Sequence, residues 1–419
     1  MDITIPPKDN SYLAGSNAKT YLLLFLFWPF LAFVLAIINY SQQTARKVIY
    51  IFLIYYGFSF VNENMYVDAF RYAKRFIMTA ELPFSDFFVI VGGLYTDSSV
   101  DIIEPLSRFI ISRFTDNPQF FFAFWVAFMG FFYLKSINLL YSKYQENPNT
   151  TSLVLLLFFI FTVPITAVSG IRMPTAMWIF FYAAYHVVLY RDKRYLLLAL
   201  SASLVHWSFL TANAVLLLYF FAGNRNWLYL PLTVVSFIVP NLLAPLFKNL
   251  AQSVGGAIQD RYKGYSNEDY IEGIQQSYEG ASWFMGLFEN LALYFLLFSI
   301  IYIQLKDRKI MQESYEKNLY SFLLLFLAFI NFGQIIPSFG GRFQILFYLL
   351  ATTYVFLYSV KIKNQPLHII KLIGIFPILL FCAIQFRMGS ESINAWIFYP
   401  GFGLSALVRE LSLAELMFN

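Results

Sequence analysis

Between Thr20 and Tyr40 the chain carries no charged residue. A helix needs roughly 20 consecutive apolar residues to cross a bilayer, and this run supplies them. Similar runs recur at roughly 20–40, 47–62, 119–141, 151–168, 173–190, 194–206, 207–222, 227–246, 283–304, 319–336, 342–361 and 367–386. Hydrophobic residues make up 59% of the chain and charged residues 13%, against about 25% charged in a soluble domain. That excludes a soluble enzyme, a disordered chain and a disulfide scaffold. Inside lipid every backbone polar group needs a protein partner, which leaves helices or a closed barrel, and runs of this length select helices. The expected fold is therefore an all-α polytopic membrane protein, one domain over residues 1–419, with about twelve transmembrane helices. No internal repeat is evident, which disfavours a transporter of inverted halves.

The first nineteen residues are polar, with Pro6, Pro7, Asp9 and Asn10. A cleavable signal would pass from a basic start into a short apolar core, so the run from Thr20 reads as a retained helix. Orientation follows from the short loops. Arg46 and Lys47, Lys143, Arg191 with Lys193 and Arg194, Arg225, Lys306 with Arg308 and Lys309, and Lys361 with Lys363 all fall on one side. This holds only if 194–222 is two helices meeting at His206. Basic short loops mark the cytoplasm, so the net charge of +5 is topogenic and not a nucleic-acid footprint.

The opposite side then holds two long loops, about 63–118 and 247–282. Both are acidic: Glu63, Asp68, Glu81, Asp86, Asp97, Asp101, Glu104 and Asp116 lie in the first, Asp260, Glu268, Asp269, Glu272 and Glu279 in the second. Loops this long carry function or structure of their own. The tail beyond Phe386 falls on the same side, and Leu404–Phe418 has the apolar spacing of an interfacial C-terminal helix. With 49 Phe and 30 Tyr, the chain has material for interfacial belts and for stacking on sugar rings.

Two arginines stand out on that outer side. Ser169-Gly170-Ile171-Arg172 places Arg172 at a helix start with Pro174 in the first turn, and Gly340-Gly341-Arg342 repeats the arrangement before a later span. A cation opposes the helix dipole there, and a bound phosphate removes the conflict. The bland alternative is an arginine reaching for lipid headgroups. Neither arginine is asked to hold the fold. His206 falls level with Arg172; its bland reading is a packed histidine bonded to a carbonyl. If residues 62–75 are helical, Asp68, Arg71, Tyr72 and Arg75 share one broad face, which a salt-bridged surface helix explains equally well. Glu104 precedes Pro105, where a carboxylate also suits a helix start. Asp260-Arg261-Tyr262-Lys263-Gly264-Tyr265 mixes charge and aromatics. The lone cysteine, Cys382, allows no internal disulfide, and no His/Cys/carboxylate cluster has metal-ligand spacing. No phosphate-binding loop, G-x-S-x-G elbow or H-E-x-x-H motif occurs.

In this order the pieces resemble the EpsG family of polysaccharide polymerases, relatives of the Wzy O-antigen polymerases. The pattern is Asp68 and Tyr72, then Glu104-Pro105, then Gly170-Ile171-Arg172 with Ala176. His206 and Ser208 follow, then Arg261-Tyr262 with Tyr265, and Gly341-Arg342-Phe343. It runs from about Thr20 to Tyr358; Met173 stands where the family usually has Gln. The resemblance implies metal-independent glycosyl transfer, without cofactor or ATP, at the outer face of a bacterial cytoplasmic membrane. Donor and acceptor are polyprenyl-diphosphate-linked oligosaccharides, and a chain-length regulator or export machinery is an expected partner. Arg172, Arg342, Arg261 and Arg71 are the cations on the correct side for the departing diphosphate; Tyr72, Tyr262 and Tyr265 join them as substrate-binding residues. Asp68, Glu104 or His206 serves as base, a carboxylate being favoured. Rival readings are a lipid-linked oligosaccharide flippase, which wants charge at mid-membrane, a membrane O-acyltransferase acting on outer glycan, and a structural assembly subunit.

Overall fold

A computed structural model of the chain describes residues 18–61, 68–88, 101–239, 284–306, 315–334, 337–362, 368–401 and 403–418, with a few isolated positions between. The described residues form helices and short 3-10 turns, with one isolated β-bridge, Asn394 to Ser412. The first expected span is two pieces, α1 (Ala18–Phe27) and α2 (Pro29–Ile38), because Pro29 has no N–H to continue the ladder. Next come α3 (Gln43–Phe58), α4 (Asp68–Ala80) and α5 (Ile103–Ser112). The long α6 (Pro118–Glu146) starts on Pro118 with the Asn117 side chain accepting from the Gln119 N–H at 2.9 Å. Asn149 and Ser152 cap α7 (Thr150–Thr162) reciprocally.

A 3-10 stretch, Ile165–Gly170, leads into α8 (Arg172–Tyr190). Then follow α9 (Arg194–Val205), α10 (Phe209–Ala222) and α11 (Asn226–Ile238). The remaining helices are α12 (Phe284–Lys306), α13 (Glu316–Gly333), α14 (Pro337–Lys361), α15 (His368–Gly389) and the short α16 (Leu413–Phe418). The region 194–222 is thus two helices broken at His206–Ser208, with His206 in extended conformation outside both.

Among the described residues, three stretches are long and apolar enough to cross a membrane: Pro118–Glu146, Thr150–Gly170 and Gly340–Lys361. Shorter apolar helices account for much of the remaining run pattern. The exterior is apolar: Leu305 is 83% and Phe221 81% exposed, and a surface of this kind is stable only against lipid or another protein. Polar side chains sit inside and join helices. Asn213 Nδ2 donates to Ala199 O and Ser203 Oγ, both at 2.9 Å, tying α10 to α9, and Asn331 Nδ2 donates to Ser236 Oγ at 2.9 Å between α13 and α11. Gly57 lets α3 approach α6, since a Cβ there would lie 2.7 Å from Ala123 Cα.

The two ends of the bundle differ. At one end Asn147 Nδ2 donates to Val360 O at 2.7 Å, Lys361 pairs with Glu316 at 2.8 Å, and Asn318 Nδ2 reaches Leu189 O at 3.5 Å. The basic residues Lys143, Arg191 and Lys361 are near that end, at the C-termini of α6, α8 and α14. At the other end α4 and α5 form a hairpin over the starts of α6 and α8. The buried face of α4 is Ala69, Tyr72, Ala73, Phe76 and Thr79, spaced i, i+3, i+4, and Phe76 packs on Phe121 of α6. Arg113 clamps the hairpin by donating to the carbonyls of Thr79 and Leu82.

The tail corrects the expected Leu404–Phe418 helix. Asn394 Nδ2 donates to Ala406 O and Arg409 O, Ala395 N–H to Leu411 O, and Leu413 N–H to Ile393 O. These bonds break the segment into a 3-10 turn, Gly403–Leu407, and α16. The result packs Ile397 and Ala406 against Phe52 and Tyr55, with Trp28 Nε1 donating to Phe398 O at 3.0 Å.

Candidate functional site

Asp101 stands at the centre of the hairpin end, three residues before Glu104 and just ahead of α5. Its side chain is 0% exposed. Ile102 N–H donates to Leu204 O at 3.0 Å, pinning this stretch to the end of α9. Oδ1 accepts the Trp207 backbone N–H at 2.7 Å, and Oδ2 accepts Nη1 of Arg172 in a direct ion pair. His206 Nδ1 lies 3.4 Å from both carboxylate oxygens. The break between α9 and α10 frees the Trp207 N–H from any helical ladder, so local backbone and carboxylate satisfy each other.

Arg172 opens α8, and no side chain caps its N-terminus. Besides the Asp101 contact, its Nε donates to Tyr72 Oη at 2.7 Å, and the guanidinium lies 5.6 Å from the Tyr72 ring centroid. The side chain is 26% exposed, and Nη2 has no partner among the described residues. A fork held on two sides with one amino group open is arranged to receive a further anion.

The charges of the site are settled by its neighbours. Burial alone would raise the Asp101 carboxyl. The His206 hydrogen bond, the Arg172 guanidinium and the Trp207 N–H hold the group below the ordinary carboxylate range. Burial pushes the His206 imidazole down; Asp101 pulls it up, and Arg172 and Arg342 push it down further. Asp101 is therefore ionised and His206 neutral at pH 7. Burial raises the Tyr72 phenol to about 12, against the pull of Arg172. Its hydroxyl keeps its proton while accepting from Arg172.

The other sequence candidates are distributed as follows. Glu104 is buried beside the cluster and accepts from Arg108 Nε at 3.0 Å; Arg108 Nη1 in turn donates to Thr79 Oγ1 at 2.7 Å. Asp68 and Arg71 pair with each other on the exposed face of α4, at 51% and 63% side-chain exposure. Arg342 is the sixth residue of α14, not its first, because the helix starts at Pro337. Its neighbour Phe343 packs on Phe209 of α10 with ring centroids 5.5 Å apart, and its charge acts on His206. Arg261, Tyr262 and Tyr265 lie outside the described residues. The structure thus brings Tyr72, Glu104, Arg172 and His206 together with Asp101, and places Arg342 within electrostatic reach.

Asp101 is the residue that sequence reasoning missed. It counted only as one of eight acidic residues in a long loop. A signal existed: it opens the segment ending in Glu104-Pro105, inside the resembling pattern.

A family model described as EpsG family matches residues 64–399. No curated protein and no solved structure gives a match.

Proposed function

As a chain that belongs to the EpsG family, this protein is one we propose to be a polysaccharide polymerase that joins polyprenyl-diphosphate-linked oligosaccharides at the outer face of a bacterial cytoplasmic membrane. In this reading the helices make about twelve spans, and the hairpin end faces outward with the 247–282 loop. The observation that carries the reading is Arg172. It is half-satisfied by Tyr72 and Asp101, has one amino group without a partner among the described residues, and sits beside a neutral histidine.

The chemistry asks for two things, and the cluster offers both. A sugar C1–O bond to diphosphate breaks with the electron pair leaving on phosphate oxygen. Arg172, the Tyr72 hydroxyl and Arg342 are the groups that would meet that charge; preorganised donors at developing charge usually give the largest catalytic term. The acceptor hydroxyl loses a proton as its oxygen bonds to C1. Of the three proposed bases, Asp68 is bound to Arg71 and Glu104 to Arg108. Both carboxylates are already taken up in an ion pair, while no described residue bonds to Nε2 of His206, so His206 is the base we favour, contrary to the preference for a carboxylate from sequence. The charge of a diphosphate is here met by guanidinium groups, so transfer is proposed to need no metal and no nucleotide. Tyr262, Tyr265 and Arg261 remain proposed sugar and phosphate contacts from the second loop, and Arg71 a peripheral cation.

Deletion of the gene tests the reading in cells. A polymerase deletion leaves surface or secreted glycan as single repeat units, restored to long chains by the wild-type copy and not by Arg172→Ala. Loss of all glycan, single units included, would point to a flippase. Unchanged chain length with loss of an acyl group would point to an O-acyltransferase.

A further inference from the structure

The carboxylate of Asp101 touches both halves of the proposed site. Its Oδ1 takes the Trp207 N–H at 2.7 Å, its Oδ2 takes Arg172, and His206 Nδ1 lies 3.4 Å from each oxygen. We propose that Asp101 is a positioning residue that fixes the tautomer of His206, holding the ring proton on Nδ1 so that Nε2 is the bare nitrogen that takes the acceptor's proton. The assignment rests on the reading of His206 as base.

Donors and acceptors around the carboxylate decide where the proton sits. Asp101 is enclosed, and each of its oxygens already faces an N–H donor. The Arg172 guanidinium in direct contact with Oδ2 stabilises the charged carboxylate, so the ionised form is the one the site accommodates. An ionised carboxylate can only accept. The proton between it and His206 must then belong to Nδ1. A neutral imidazole has one N–H, so Nε2 carries the lone pair. Nε2 lies on the far side of the ring from Asp101, and no described residue bonds to it.

The step balances with these groups alone. The acceptor O–H bond breaks and its proton forms an N–H bond at Nε2. The oxygen bonds to the donor sugar C1, and the C1–O bond to phosphate breaks, its electron pair staying on the diphosphate. The imidazolium so formed has its positive charge facing Asp101 across Nδ1. The same carboxylate also holds Arg172, so base and diphosphate cation are set at one fixed separation by a single residue.

Asp101→Asn also loses the Arg172 ion pair, so the ring tautomer, and not turnover alone, is the readout. The amide keeps the size and can still accept the Trp207 N–H, but it turns an N–H toward the ring. His206 Nδ1 then becomes the acceptor and the proton moves to Nε2. The chain has three histidines, so 15N-histidine-labelled protein in detergent, with His206→Gln to identify the signal, reports the tautomer directly. The expected result is an Nδ1-protonated ring in the wild type and an Nε2-protonated ring in Asp101→Asn. Turnover of a lipid-linked repeat unit should fall about 10²–10⁴-fold in the variant, with KM changed only a few-fold. An Nε2-protonated His206 in the wild type overturns the proposal, and needs no folded variant to show it. An Nδ1-protonated ring together with normal polymer from His206→Gln would instead sink the reading of His206 as base, leaving the tautomer assignment intact.

Discussion

Replacing Arg172 by lysine keeps one positive charge and removes the fork. In the wild type Nε holds Tyr72 Oη at 2.7 Å while Nη1 holds Asp101. A single ammonium on a flexible stem reaches one of these, and it loses the planar pair of donors that matches a phosphate. A hydrogen bond to a charged group contributes about 1.5–3 kcal/mol. At 26% exposure water replaces part of that, so the fold should lose about 1–2 kcal/mol. Loss of a preorganised donor to developing charge costs about 3–4 kcal/mol in the transition state, some 10²–10³-fold in rate. The catalytic defect should therefore exceed the stability defect. Alanine behaves differently. It leaves the fully buried Asp101 carboxylate without its cation, and breaking a buried pair costs about 3–5 kcal/mol. The expectation that Arg172 has no part in holding the fold thus gives way to its ion pair with Asp101, and alanine alone confuses folding with chemistry. The assay is polymer length and initial rate for Arg172→Lys at matched protein level, alongside thermal unfolding in detergent. Long polymer at wild-type rate from Arg172→Lys would refute the fork argument.

Further outcomes follow from the same geometry. Tyr72→Phe keeps the ring and deletes the oxygen that Arg172 Nε binds; turnover should fall about tenfold, as one hydrogen bond of about 1–2 kcal/mol is lost, and a rate unchanged within twofold would remove Tyr72 from the site. Glu104→Gln weakens the pair with Arg108 and should lower thermal stability more than activity; a loss of 10²-fold or more in turnover at intact stability, within the about 10²–10⁴ range of a removed base, would return the role of base to Glu104. The His206 ring must be neutral to accept a proton, and burial with Arg172 and Arg342 depresses its pKa below the ordinary 6.5. Activity should therefore be level above that value and fall only as pH drops through the depressed one; a rate still rising above pH 7 contradicts this. For topology, in a Cys382→Ser background, cysteines at Ser98 and Ser266 should react with an impermeant maleimide on intact cells, with the outer membrane permeabilised where there is one. A cysteine at Ser314 should stay unlabelled, and the reverse pattern would invert the placement of the site.

Much of the architecture was legible in the apolar runs because lipid enforces a simple rule: a spanning segment must be long, uncharged and helical. The break at His206 was legible as well, since only two helices over 194–222 keep the basic loops on one side. Local chemistry marked the start of α8 through Arg172 and Pro174. Other features were decided by tertiary contact. On α4, Asp68, Arg71 and Arg75 face outward while Tyr72 is buried, because a residue one position on is turned by about 100° and packing chooses the edge of the face. The start of α14 at Pro337 moved Arg342 away from the helix terminus. Asp101 meets partners at positions 172 and 206, and no spacing rule reaches across such separations. An aspartate in an acidic loop looks the same whether it is solvated or sits at the centre of a site.

In the proposed function this cluster performs glycosyl transfer between two lipid-linked units. The most direct measurement incubates the purified full chain with one polyprenyl-diphosphate-linked repeat unit, in the presence of EDTA and without nucleotide, and resolves the products on a gel. The wild type should give a ladder of regularly spaced bands, with free polyprenyl diphosphate released at each step, and Arg172→Lys and His206→Gln should give no ladder at matched stability. A ladder of equal length from both variants, or a wild type that releases no polyprenyl diphosphate, would contradict that function.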